Sequence, residues 1–323
     1  MMREKTYIAH AIEGNDGKDA YDAEVKKVLS DKTILAWIMK YSMTEFMEYS
    51  LEEVRHCIEE EPKVSSMKLR AGHTPEAITG MPTESQIPGE GEITYDIRFY
   101  AITPTKEQIK ILINIEAQKN YYPGYDLVTR AVFYCARMLS AQLDTEFTPR
   151  NYDEIKKVYS IWICMDVPDY AAYTMTGYGM QKKEIYGHMP RKARYDLLEV
   201  VMICLGKQKE AHRGNRLQGM LSVLLSDSLK PGEKESILEQ EYQIKMSVEV
   251  KGGIQTMCNL SERIEQRGIA KGIEQGIEQG IERGTERTLF SLVKQGLLKL
   301  EDAANQMGVS GEDFGERMKK AGY

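Results

Sequence analysis

Residues 93–102 read ITYDIRFYAI and residues 109–118 read IKILINIEAQ. In the first stretch Ile93, Tyr95, Ile97, Phe99 and Ala101 alternate with Thr94, Asp96, Arg98 and Tyr100. In the second, Ile109, Ile111, Ile113, Ile115 and Ala117 alternate with Lys110, Leu112, Asn114, Glu116 and Gln118. A period of two marks half-buried strands, because successive side chains leave a strand on opposite faces. The short polar connection between the two, with Pro104 and Lys106, predicts an antiparallel hairpin.

A turn centred on Lys106 sets Asp96 directly opposite Glu116 on the polar face, with Arg98, Asn114 and Gln118 beside them. Like charges in a cross-strand pair are destabilising unless a cation lies between them. Two carboxylates with a carbonyl-bearing neighbour are hard oxygen ligands, suited to Mg²⁺ or to Mn²⁺. A metal so held could polarise a phosphodiester and supply hydroxide near neutral pH, which makes metal-dependent phosphodiester hydrolysis the chemistry of interest. The same alternation also fits a sheet face that is simply wet.

Outward from the hairpin, residues 21–47 have helical spacing, with Val25, Val28, Leu29, Ile34, Trp37 and Ile38 apolar, which predicts one or two packed helices. Residues 59–92 are broken by Pro62, Gly72, Pro75, Gly80, Pro82, Pro88, Gly89 and Gly91, so loops are expected there with a short strand near Val64–Leu69. Tyr125–Leu143 has helical period, Lys157–Met165 (KVYSIWICM) reads as a buried strand stopped near Pro168, and Tyr195–Leu205 reads as an apolar helix. Helices alternating with strands in this order predict an α/β fold with a mixed sheet.

The 323 residues are 42% apolar and 28% charged, enough to bury a core. The net charge of -6 argues against general coating by nucleic acid, but it is unevenly spread. Residues 1–118 carry 14 basic and 21 acidic side chains, 119–216 carry 15 and 11, and 217–323 carry 14 and 17. The middle is the only basic part and the expected place for a polyanion. Five scattered cysteines without a CxxC pair suggest neither a disulfide framework nor a zinc knuckle, and no apolar run is long enough to span a bilayer, so a cytoplasmic protein is expected. The five histidines show no ligand spacing, and no Ser-His-Asp arrangement, P-loop or GxGxxG is evident.

From Arg267 the chain repeats every four residues, as in Lys271-Gly272-Ile273-Glu274 and Gln275-Gly276-Ile277-Glu278. On an ideal helix each repeat advances about 400°, so the isoleucines would wind slowly as a stripe. Glycine costs roughly 1 kcal/mol per helix-interior site, so the segment fits either a partly helical tether or a self-associating helix whose glycines permit close approach. Residues 288–320 resemble a small helical unit in which Ser310 could cap the last helix. That helix opens with Glu312, Asp313 and Glu316, which would repel phosphate.

YDIRFYAI (Tyr95–Ile102), INIEAQKNYYPGYDLVTRAVFYCARMLSAQ (Ile113–Gln142), KVYSIWICM, the opening YDAEVKKVLSDKTILAWIM (Tyr21–Met39) and the Gly-Ile-Glu-Gln repeats together resemble the PD-(D/E)XK nuclease family transposases, also called recombination-promoting nucleases. The resemblance runs over roughly residues 20–320. It implies a restriction-endonuclease-like core, a mixed sheet flanked by helices with a helical C-terminal extension, and Mg²⁺-dependent DNA cleavage that can promote recombination. Asp96 then takes the place of the motif aspartate, although Tyr95 precedes it instead of proline, and Glu116 takes the second acidic position. Gln118 falls where the superfamily has its lysine, a substitution this branch tolerates, although glutamine cannot stabilise developing negative charge as an ammonium does. Lys119 next door should point to the opposite face, and Asp22 or Glu24 on the first helix is a candidate further acid. Arg130, Tyr134 and Arg137 share one helix face and, with Lys119 nearby in sequence, either bind the DNA backbone or form a core tyrosine with arginines at its margin. The expected organisation is a nuclease-like domain over 1–250, the repeat segment over 251–288, through which copies could associate, and a helical tail over 289–323.

Overall fold

The computed structural model of the chain describes residues 19–64, 84–87, 91–105, 110–191, 193–207 and 214–323. Its strands are β1 (Ile58–Val64), β2 (Glu84–Ile87), β3 (Gly91–Thr94), β4 (Ile97–Ile102), β5 (Lys110–Asn120), β6 (Lys157–Asp166), β7 (Met175–Gly179) and β8 (Leu198–Cys204). Six of them form one mixed sheet in the order β1-β4-β5-β6-β8-β7, while β2 and β3 pair as a separate ribbon. The pairs β1–β4, β4–β5 and β7–β8 are antiparallel, and β5–β6 and β6–β8 are parallel.

The hairpin register is the one its alternation predicts. Ile97 lies opposite Ile115 and Arg98 opposite Asn114, so the line of pairing runs on to Asp96 and Glu116. The turn at Lys106 and all but the first residue of the short strand expected near Val64–Leu69 lie outside the described residues, while 59–63, expected as loop, belongs to β1, which pairs with β4. Residues 93–102, expected as one strand, divide into β3 and β4 at Tyr95-Asp96. Asp96 leaves the ladder because its backbone N–H donates to the Glu116 carboxylate instead, at 3.1 Å. The break also turns Tyr95 away from the Ile97 face: its ring packs edge-on to Tyr134 at 5.4 Å and under the Arg98 guanidinium at 5.1 Å.

The sheet is buried on both faces at β5, where every residue from Ile111 to Glu116 is enclosed. Helix α4 (Leu127–Ser140) follows α1 (19–29), α2 (Lys32–Ser42) and α3 (Leu51–His56), and covers one face. Its Leu127, Ala131, Tyr134, Cys135 and Met138 recur at helical spacing and pack on Leu112, Val158, Trp162, Val200 and Met202. Of the readings the alternation allowed, the wet face does not hold: the polar face of β5 is covered from Ile111 to Glu116. Tyr195–Leu205, expected as a helix, contains β8 instead. From Val200 to Cys204 it is buried on both faces between β6 and β7, and a continuous apolar run has no period that separates strand from helix. The β-branched Val200, Val201 and Ile203 suit the strand.

Helices α5 (Arg216–Leu224) and α6 (Pro231–Gln240) lead to α7 (Val248–Lys294), then α8 (Leu300–Gln306) and α9 (Gly311–Lys320). The chain divides into two compact units between Glu262 and Arg263. In the second, Leu289, Phe290, Ala303, Ala304 and Phe314 form a small core, Gly308 turns at φ +65°, and Ser310 caps α9 by accepting from Asp313 N at 3.1 Å. The repeats are helical throughout, with Ile269, Ile273, Ile277 and Ile281 each more than half exposed. A Cβ added at Gly268, Gly272, Gly276, Gly280 or Gly284 would meet nothing within 4 Å. If no other helix fills that surface, Gly272→Ala with Gly276→Ala raises the far-UV helical signal and stabilises the segment by about 0.5–1 kcal/mol per site. A loss of helicity accompanied by a lower mass in sedimentation identifies the glycines as a contact between copies.

Candidate active site

The site is assembled where β4 begins, midway along β5 and beside α1. Helix α1 buries Tyr21, Val25, Val28 and Leu29. Tyr21 donates its hydroxyl to Asp227 Oδ1 at 3.1 Å, and Val28 lies so close to α7 that a Cβ on Gly253 would fall 2.5 Å from Val28 Cγ2. Glycine at 253 is what permits this approach, and the helix so docked points Lys26 at the hairpin. The Lys26 ammonium meets Asp96 Oδ1 at 2.7 Å, both side chains being less than one-fifth exposed.

Asp96 and Glu116 hold one another through the backbone. Asp96 N–H donates to Glu116 Oε1 at 3.1 Å, and Ala117 N–H donates to Asp96 Oδ2 at 3.0 Å. Because β4 has not yet begun opposite Ala117, the Asp96 carboxylate satisfies the amide that a ladder partner would otherwise take. Glu116 is 4% exposed. Burial, and next the negative charge of Asp96, push its carboxyl well above the usual carboxylate range, against the opposing pull of the Asp96 N–H, the Asn114 amide and Arg130. Arg130 donates to the Tyr134 hydroxyl from Nε at 3.2 Å and Nη2 at 2.6 Å, and to Tyr125 at 2.8 Å, with its guanidinium 5.3 Å from the Trp162 ring. Burial, followed by the charge of Glu116, also raises Tyr134.

The candidate residues thus separate. Asp96, Glu116, Arg130 and Tyr134 converge. Asp22, one turn before Lys26, keeps much of its surface, yet desolvation at its carboxyl raises it, with Lys26 lowering and Asp96 raising it further. Glu24 turns to α7, its Oε2 3.7 Å from the position of a Gly253 Cβ. Gln118 donates its amide to the Asn120 carbonyl at 2.6 Å, away from both carboxylates. Lys119 takes the opposite side, 3.5 Å from Asp227 Oδ2 and over the Tyr21 ring. Arg137 is 2% exposed, and Tyr134 is buried with it, so of the three α4 residues only Arg130 reaches the surface. Sequence reasoning missed Lys26. The one available signal was its position four residues after Asp22, on the same helix face.

Among the described residues no group of three or more His, Cys, Asp or Glu side chains is arranged to hold a metal ion. The Asp96–Glu116 pair nevertheless suits a hard divalent ion that keeps several waters, and an ammonium already sits against it. Beyond Glu116, a cavity of about 850 Å³ opens at the carboxyl ends of β5, β6 and β8, lined by Asn120, Tyr121, Tyr122, Asp166, Tyr173 and Lys207. No described helix is long and apolar enough to cross a membrane. No protein-family model, curated protein or solved structure matches the chain.

A raised carboxyl binds its proton more tightly in the native state than in the unfolded chain. The stability it contributes is complete below the ordinary value of about 4.3 and is lost as pH rises through the folded value of about 8. The thermal midpoint of the metal-free protein is therefore expected to fall across this window. Glu116→Gln should flatten the slope, as read by calorimetry in matched buffers.

Proposed function

We propose that the chain is a metal-dependent DNA endonuclease with a restriction-endonuclease-like core, acting in the cytoplasm and associated with transposition or recombination. The observation that carries this reading is the reciprocal pairing of Asp96 with Glu116 beside a cation, where the β4–β5 ladder ends inside a covered mixed sheet. Mg²⁺ or Mn²⁺ held by these two carboxylates would supply a polarised phosphoryl oxygen and an acidified water. Asp96 and Glu116 orient that ion. Gln118 is neutral, so its role is to orient water or a phosphate oxygen through its amide. Arg130 keeps a positive charge beside Glu116, braced by two tyrosine hydroxyls. Lys119 and Lys207, at the carboxyl ends of the parallel strands, lie where open α/β sheets bind ligands and would contact the DNA backbone.

A second reading has its own support: Gln118 carries no charge and is turned onto Asn120, and the repeat helix exposes an isoleucine stripe. Both suit a weakly active or inactive protein that binds DNA or associates with copies of itself. Incubation of supercoiled plasmid with the purified chain and Mg²⁺ or Mn²⁺ separates the two. Nicking or linearisation is expected, and Asp96→Asn or Glu116→Gln should each slow it by ~100-fold or more. Cleavage that persists in both variants removes these residues from the chemistry, and absence of cleavage with either metal favours the second reading.

A further inference from the structure

The Asp96 carboxylate takes its counter-ion from outside the sheet. Lys26 reaches Asp96 Oδ1 at 2.7 Å from α1, while the other Asp96 oxygen is taken by the Ala117 N–H. Any ion that uses Oδ1 must therefore contend with the ammonium. Two cations approach the pair, and they are built differently. Arg130 is locked by two tyrosine hydroxyls and stands over the Tyr125, Tyr134 and Trp162 rings. Lys26 is a point charge on a flexible stem, with Asp22 one turn back as an alternative acceptor on the same helix face. The backbone of α1 is fixed by Tyr21 on Asp227 and by Val28 against Gly253, so the ammonium can withdraw from Asp96 without the helix moving.

We propose that Lys26 is an internal competitor for the divalent ion: it holds Asp96 beside Glu116 in the metal-free protein and yields Oδ1 when the ion binds. This rests on the metal-dependent reading above and adds to it a positioning residue that sets the metal concentration at which the site fills. Such a counter-ion holds the Asp96 carboxylate in place in the absence of metal, and it weakens metal binding by the strength of the ion pair that must be broken. At less than one-fifth exposure this pair is only partly screened by solvent.

The test is Mn²⁺ binding by the full chain, measured by titration calorimetry at one pH, with thermal midpoints recorded with and without the metal. Lys26→Met is expected to bind Mn²⁺ about tenfold more tightly than wild type, because a unit positive charge at the ligand oxygen is gone. It should also melt lower than wild type when metal-free and recover when Mn²⁺ is added. Lys26→Arg, which keeps the charge, should bind Mn²⁺ as wild type does. Wild-type or weaker affinity in Lys26→Met overturns the inference, because a lysine that only braces Asp96 would lose affinity on removal. If wild type binds no Mn²⁺ and Lys26→Met binds none either, the metal-dependent reading itself fails, an outcome distinct from equal binding by both.

Discussion

Two carboxylates cannot share a covered sheet position without compensation, and much of this architecture supplies it. Opposite charges a few ångströms apart interact strongly where water is excluded, and like charges repel by the same rule. Asp96 and Glu116 face each other because the hairpin register leaves them no alternative. The compensation is threefold: the backbone N–H groups of Asp96 and Ala117, the ammonium of Lys26 brought by α1, and the guanidinium of Arg130 brought by α4. Each comes from a different element, so the pair ties the first helix, the central strand and the covering helix to one point.

Covering both faces of β5 has a chemical consequence. A carboxyl on a wet strand would ionise near its ordinary value, whereas Glu116, under α4 and beside Asp96, favours its proton. The tyrosines around it extend this environment. Tyr95, Tyr134 and Trp162 stack tilted or edge-on in sequence, and Arg130 spans the last two rings. The aromatic layer thus serves at once as core and as the low-dielectric wall of the site.

The hairpin was legible because its two strands alternate in phase, so a symmetric turn alone sets Asp96 opposite Glu116. Helix α4, β6, the α1–α2 pair and the Ser310 cap were legible for similar local reasons: a clear period, a β-branched apolar run, or a short polar side chain at a helix start. Residues 198–204 were not, since a strand enclosed on both faces has no alternation to read. Nor was the break at Tyr95-Asp96, which arises because a carboxylate replaces a ladder partner. Lys26 was the least visible part of the site, because its relation to Asp96 depends on how α1 docks against Asp227 and Gly253, contacts that no local pattern encodes. The arginine–tyrosine group on α4 was seen as a face, but which members the core would enclose depended on the sheet beneath.

The hydrogen bond from Ala117 to Asp96 joins the architecture of the sheet to the chemistry of the site. That amide lies just beyond the end of the β4–β5 ladder, and it takes a side chain where a strand partner would stand. Removing the Asp96 carboxylate therefore frays the sheet as well as breaking the pair with Glu116, which makes asparagine, with an oxygen still able to accept, a gentler replacement than alanine. It also makes the Ala117 N–H a natural spectroscopic witness: a backbone proton whose resonance is governed by whichever partner Asp96 holds at that moment.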